Sequence, residues 1–125
     1  MKNKNLQVVG GLIVKSNKIF ICQRPLDNEH PLKWEFPGGK VKKLEKPDQA
    51  LKRELKEEIK ITIKNPIYLC DYTFEYQDLG KKVKLFFFLI TDYLGEISNT
   101  IHNQLKWIEI KELSNYDFLE GDHEI

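Results

Sequence analysis

Three glutamates crowd one short stretch of this chain: Glu54, Glu57 and Glu58 lie within R-E-L-K-E-E. The stretch reads as a helix over about 47–60, with Pro47 suited to the first helical position and Asp48 adding negative charge to the first turn. At about 100° per residue, Leu51, Leu55 and Ile59 share an apolar stripe and the three glutamates occupy the adjoining arc. Lys52, Arg53, Lys56 and Lys60 fall mostly on the far side. Glu54 and Glu58, four residues apart, repel by about 0.2–0.5 kcal/mol on an isolated helix. A solvated face of mixed charge accounts for such a helix. A site for a hard divalent cation accounts for it equally, because Mg²⁺ takes oxygen ligands and keeps waters and substrate phosphates around it.

Gly38 and Gly39 precede the helix, where the backbone must bend sharply or approach a ligand closely. From Gly39 the spacing is five residues to Glu45, seven more, then Arg53-Glu54-Leu55-Lys56-Glu57-Glu58, with Ile61 following. This run resembles the Nudix box. It departs at Lys60, where the family carries glycine; if residue 60 takes a positive φ, lysine costs about 1 kcal/mol there.

The likeness extends beyond the box. An N-terminal strand pair, Arg24, the approach L-K-W-E-F-P-G-G-K and a later L-K-W-I are similar to the MutT branch of the Nudix hydrolases. The resemblance implies an α+β chain folded as an α/β/α sandwich with a mixed β-sheet. It implies cleavage of nucleoside triphosphates to monophosphate and pyrophosphate, with oxidised guanine or cytosine nucleotides as substrates and nucleotide-pool sanitation as the role. Carried over by position, it makes Glu54, Glu57 and Glu58 the catalytic carboxylates. Together with the main-chain oxygen of Gly38 they would hold Mg²⁺, with Mn²⁺ as a substitute. Arg24 and Lys40 match substrate contacts, although Lys40 also reads as a solvated lysine. Glu45 matches a position that supports loop and helix rather than doing chemistry.

Two positions stand apart. In the MutT branch a glutamate serving as metal ligand or base sits six residues before the strand tryptophan. Counting back from Trp107 reaches Ile101, with His102 beside it, so Glu96 must reach in, the loop must shift, or the site is weakened. Asp122 aligns with the position that reads the base edge; its carboxylate accepts from an exocyclic amine such as cytosine N4, and it equally suits the N-cap of a terminal helix. A catalytically weak nucleotide-binding module, or a hydrolase of another nucleoside diphosphate derivative, are the rival functions.

These residues need a scaffold to position them. Leu6–Lys15 and Lys18–Gln23 read as a hairpin, Trp34–Phe36 as a short extended piece, and Ile67–Gln77 and Lys82–Thr91 as a second strand pair. The second of that pair is apolar on both faces, hence central and covered twice. Leu105–Ile110 alternates as another strand, and Glu112–Tyr116 suggests a helical turn. At 125 residues the chain reads as one domain, 1–125.

A net charge of +1, from 20 basic and 19 acidic residues, argues against binding polymeric nucleic acid. Cys22 and Cys70 lack zinc spacing. No apolar run approaches the ~20 residues of a membrane span, and M-K-N-K-N lacks a signal core, so a cytoplasmic monomer or homodimer is expected.

Overall fold

The computed structural model describes residues 4–27, 30–76 and 80–119. Its hub is the first strand, β1 (Lys4–Lys15), which pairs in parallel with β7 (Lys81–Ile90) from Lys4↔Lys81 to Ile13↔Ile90. Along its other edge β1 is shared. Val8–Gly10 pair antiparallel with β4 (Gly38–Lys40), and Val14–Lys15 pair with β2 (Lys18–Gln23). β3 (Trp34–Glu35) and β9 (Gln104–Glu109) flank β2, and β6 (Ile67–Tyr76) flanks β7. A mixed, seven-stranded sheet results. A small second sheet joins β5 (Thr62–Ile63) to β8 (Tyr93–Leu94).

The two faces of the sheet are covered differently. Helix α1 (Pro47–Ile59) lays Leu51, Leu55 and Ile59 on one face, against Val9, Ile13, Phe88 and Ile90. All three stripe residues are fully buried, as the 3.6-residue period required. The opposite face gathers Ile19, Trp34, Phe36, Val83, Leu85 and Phe87. Phe118 and Leu113, the latter from a 3₁₀ helix (Ile110–Asn115), close over it. β7 feeds both clusters, which is why its sequence is apolar on both faces from Leu85 to Ile90. Among the described residues no helix is long and apolar enough to cross a membrane.

The glycine pair is the main structural departure. Gly38 and Gly39 are not a turn but part of β4, facing Gly10 and Val9 of β1. A Cβ on Gly38 would collide with the Val9 carbonyl, and one on Gly39 with the carboxyl of Glu54. The glycines therefore let β4 approach β1 and let a glutamate lie directly on the strand. Lys60 caps α1 in the left-handed region at φ 66°, donating its N–H to the Leu55 carbonyl.

Candidate active site

Arg53, assigned from the helical wheel to the far side, is the fastener of the site. Its Nε and Nη2 donate to the two oxygens of Glu45 at 2.9 and 3.0 Å, and Nη2 also donates to the Lys40 carbonyl at 2.9 Å. Its Nη1 reaches Glu54 Oε2 at 2.9 Å and Glu57 Oε1 at 3.4 Å. The 40–45 loop is thus tied to α1 by a planar fork, a role lysine cannot take. Glu45 also accepts from the Lys42 N–H, and the Arg53 guanidinium holds its carboxyl down to about 2.

The three glutamates occupy graded environments. Glu57 is mostly exposed, while the side chains of Glu54 and Glu58 are only 16% and 13% exposed. Glu54 rests on Gly39, and the Glu54 and Glu58 carboxyls are hydrogen-bonded to one another. Burial first, then that hydrogen bond and the repulsion of Glu54, push the Glu58 carboxyl up to about 10. Two partly buried carboxyls side by side favour a proton or a cation between them, and all their donor atoms are hard oxygens. That chemistry fits a divalent cation of the Mg²⁺ type. Among the described residues no three carboxyl, imidazole or thiol groups are gathered tightly enough to hold a metal on their own. Such a set suits an ion that keeps waters and substrate oxygens in its shell.

Beside this pair opens a cavity of about 300 Å³. Gly38, Gly39, Lys40 and Glu58 line one part, Arg24 and Glu35 another, and Val8, Phe36, Leu85 and Phe87 supply apolar wall. Of the expected site residues, Arg24, Gly38, Lys40 and Glu58 meet at this cavity, Glu54 stands beside Glu58, and Glu57 lies further out. Asp122 lies outside the described residues. Arg24 is engaged with Glu35 at 2.9 Å, and Lys40 is exposed.

Glu35 and His102 escaped the sequence reading. Glu35 sits between the buried Trp34 and Phe36, so strand alternation turns it to the other face, and that pattern was the available signal. Burial raises its carboxyl against the opposing pull of Arg24. His102 had no local signal. Its Nε2 lies 3.6 Å from Glu58 Oε1 and 3.8 Å from Glu35 Oε2, and burial, then Arg24, lower the imidazole to about 4. Ile101 lines the cavity and is 54% exposed. Glu96 is exposed and is not among the residues lining the cavity.

Comparison with known proteins places the chain among relatives. A protein of Proteus vulgaris named 8-oxo-dGTP diphosphatase is 40% identical over 99 residues, 78% of this chain and 87% of its own length. A CTP pyrophosphohydrolase of Escherichia coli is 32% identical over 119 residues, 95% of this chain and 87% of its own length. The solution structure of the E. coli ORF135 protein superposes with a TM-score of 0.84 at 32% identity, covering 96% of this chain and 84% of that one. A profile of the NUDIX domain matches residues 4–125, and on that extent, with Glu54, Glu57 and Glu58 on one helix beside the cavity, the chain belongs to the NUDIX family.

Proposed function

We propose that this chain is a Mg²⁺-dependent nucleoside triphosphate pyrophosphohydrolase that removes damaged or unwanted nucleotides, with Mn²⁺ able to replace Mg²⁺. The observation that carries the reading is the partly buried pair of Glu54 and Glu58, with Glu58 lining a cavity that also presents Lys40 and Arg24. Phosphoryl transfer asks a protein mainly for positioning and for neutralisation of charge. Glu54, Glu57, Glu58 and the Gly38 carbonyl would hold the divalent cation. When bound, that cation neutralises phosphate charge and acidifies water. Lys40, at the cavity rim, supplies a point charge to the phosphates, and Arg24, steadied by Glu35, orients the nucleotide. Phe36, Phe87 and Leu85 offer apolar surface to a base while excluding water from it.

Relatives named 8-oxo-dGTP diphosphatase and CTP pyrophosphohydrolase both support a triphosphate substrate, and they favour oxidised guanine and cytosine nucleotides respectively. Pyrophosphate release measured with Mg²⁺ on a panel of ordinary, oxidised and methylated triphosphates tests the proposal. Turnover of 8-oxo-dGTP or CTP well above the other nucleotides is expected. Tight binding of the whole panel without pyrophosphate release would replace the enzyme with a nucleotide-binding module.

A further inference from the structure

Among the described residues His102 is the one buried polar or charged residue, and it lines the cavity; its side chain is 2% exposed. Its position is built rather than incidental. The His102 N–H donates to Asn99 Oδ1 at 2.9 Å, and Asn99 Nδ2 donates back to the His102 carbonyl at 2.7 Å. The same loop is bolted to the end of α1, where Thr100 Oγ1 donates to the Glu58 carbonyl at 2.8 Å and the Ser98 N–H to the Ile59 carbonyl at 3.0 Å. On its other side the Asn103 N–H donates to the Gln23 carbonyl at 2.9 Å. The residue whose backbone takes the Thr100 bond is therefore the one whose carboxyl meets His102 Nε2.

We infer that His102 is a positioning residue for Glu58, its Nε2–H fixing the orientation of the carboxylate. The inference rests on Glu58 being a cation ligand. Of the two carboxyls near Nε2, Glu58 is the nearer, at 3.6 Å against 3.8 Å, and Glu35 is held through its other oxygen by Arg24, so Glu58 is taken as the receiver. At 3.6 Å the pair is about 0.5–1 Å too long for a direct hydrogen bond, a gap closed by a small side-chain rotation or one water. Nδ1 is buried with no hydrogen-bond partner among the described residues. Leaving the lone pair at Nδ1 and the proton at Nε2 avoids burying an unpaired N–H. A ligating carboxylate held by such a partner keeps its lone pairs on the ion, and losing that support typically weakens metal binding by 10–100-fold.

The test uses Mn²⁺ alone, without nucleotide, and reads free Mn²⁺ by electron paramagnetic resonance for the full chain. In His102→Gln the amide nitrogen reaches about where Nε2 sits, and Mn²⁺ affinity is expected within about threefold of the parent. In His102→Asn the amide nitrogen takes the place of Nδ1, and in His102→Ala nothing replaces the ring; both should lose about tenfold or more. Circular dichroism and thermal melts check folding, and if His102→Ala does not fold, the Gln and Asn variants decide. Equal Mn²⁺ affinity in the folded Gln and Asn variants overturns the inference. Glu58→Gln separates the two readings. If it weakens Mn²⁺ binding while Gln and Asn at position 102 remain alike, only the His102 inference falls. If it leaves Mn²⁺ affinity unchanged, the cation site itself falls and the inference with it.

Discussion

At Glu58, burial and the neighbouring Glu54 act in the same direction, and the consequence is measurable. The carboxyl is raised from 4.5 to about 10, so the native state favours its protonated form. That contribution to stability is complete below pH 4.5 and is lost as the pH rises towards 10. In chelator, the melting temperature should therefore fall across this window, and Glu58→Gln should flatten the fall. Adding Mg²⁺ at pH 8 should stabilise the parent and not the variant, as differential scanning calorimetry would show. Glu45 runs the other way, since its contribution is present above 4.5 and disappears as the pH drops towards 2. Glu57 differs from both because it is mostly exposed and touches only the edge of Arg53. Glu57→Gln should change stability by less than about 0.5 kcal/mol. It should nevertheless lower turnover by orders of magnitude, read as pyrophosphate release at saturating Mg²⁺. Unchanged turnover would remove Glu57 from the metal site.

At the scale of elements, α1 was legible because one period explains it: the stripe Leu51, Leu55, Ile59 is buried as the 3.6-residue repeat demands. The strand pairs were legible from β-branched and aromatic runs bounded by turn residues. Arg53 was misread because a helical wheel ranks residues by direction, while a long side chain can bend back along the helix to reach Glu45, Lys40 and Glu54. The glycine pair was taken for a turn because glycine signals backbone freedom, whereas here it signals close approach, visible only once β1 and α1 flank it. Lys60 was legible in its place. At φ 66° it occupies the left-handed cap that glycine takes without a Cβ penalty. Lys60→Gly should stabilise the protein by about 1 kcal/mol, less the extra entropy glycine brings to the unfolded chain. Urea denaturation would show it as a higher midpoint with unchanged slope, and activity should not move, since Lys60 is exposed and is not among the cavity-lining residues.

At the scale of the molecule, the cavity is assembled from segments far apart in sequence: β1 and β7 line it together with Arg24, Glu35, Gly38, Gly39 and Lys40, and with Ile101 and His102 from the loop before β9. No local pattern announces such a meeting, which is why His102 stayed hidden while Glu54, Glu57 and Glu58, carried on one helix, did not. The same assembly gives Ile101 its meaning. Its neighbours Thr100 and His102 are pinned to Glu58 and Asn99, so residue 101 is held at the cavity with its apolar side chain 54% exposed. Half exposed and outside both core clusters, isoleucine contributes little to the core, and exchanging it should leave stability nearly unchanged. A glutamate at this point would add an anionic oxygen close to Glu58, in a site that already repels like charge when no cation is present. Ile101→Glu should therefore lower the melting temperature slightly in chelator and raise turnover when Mg²⁺ or Mn²⁺ is abundant. Each 1.4 kcal/mol removed from the barrier is worth about tenfold in rate. A rise in kcat that appears only at high cation, with KM for the triphosphate little changed, is the expected result. If turnover falls at every cation concentration, the new carboxylate adds repulsion alone, and the groups already present, Glu35 and His102 among them, supply what the loop carboxylate would have supplied.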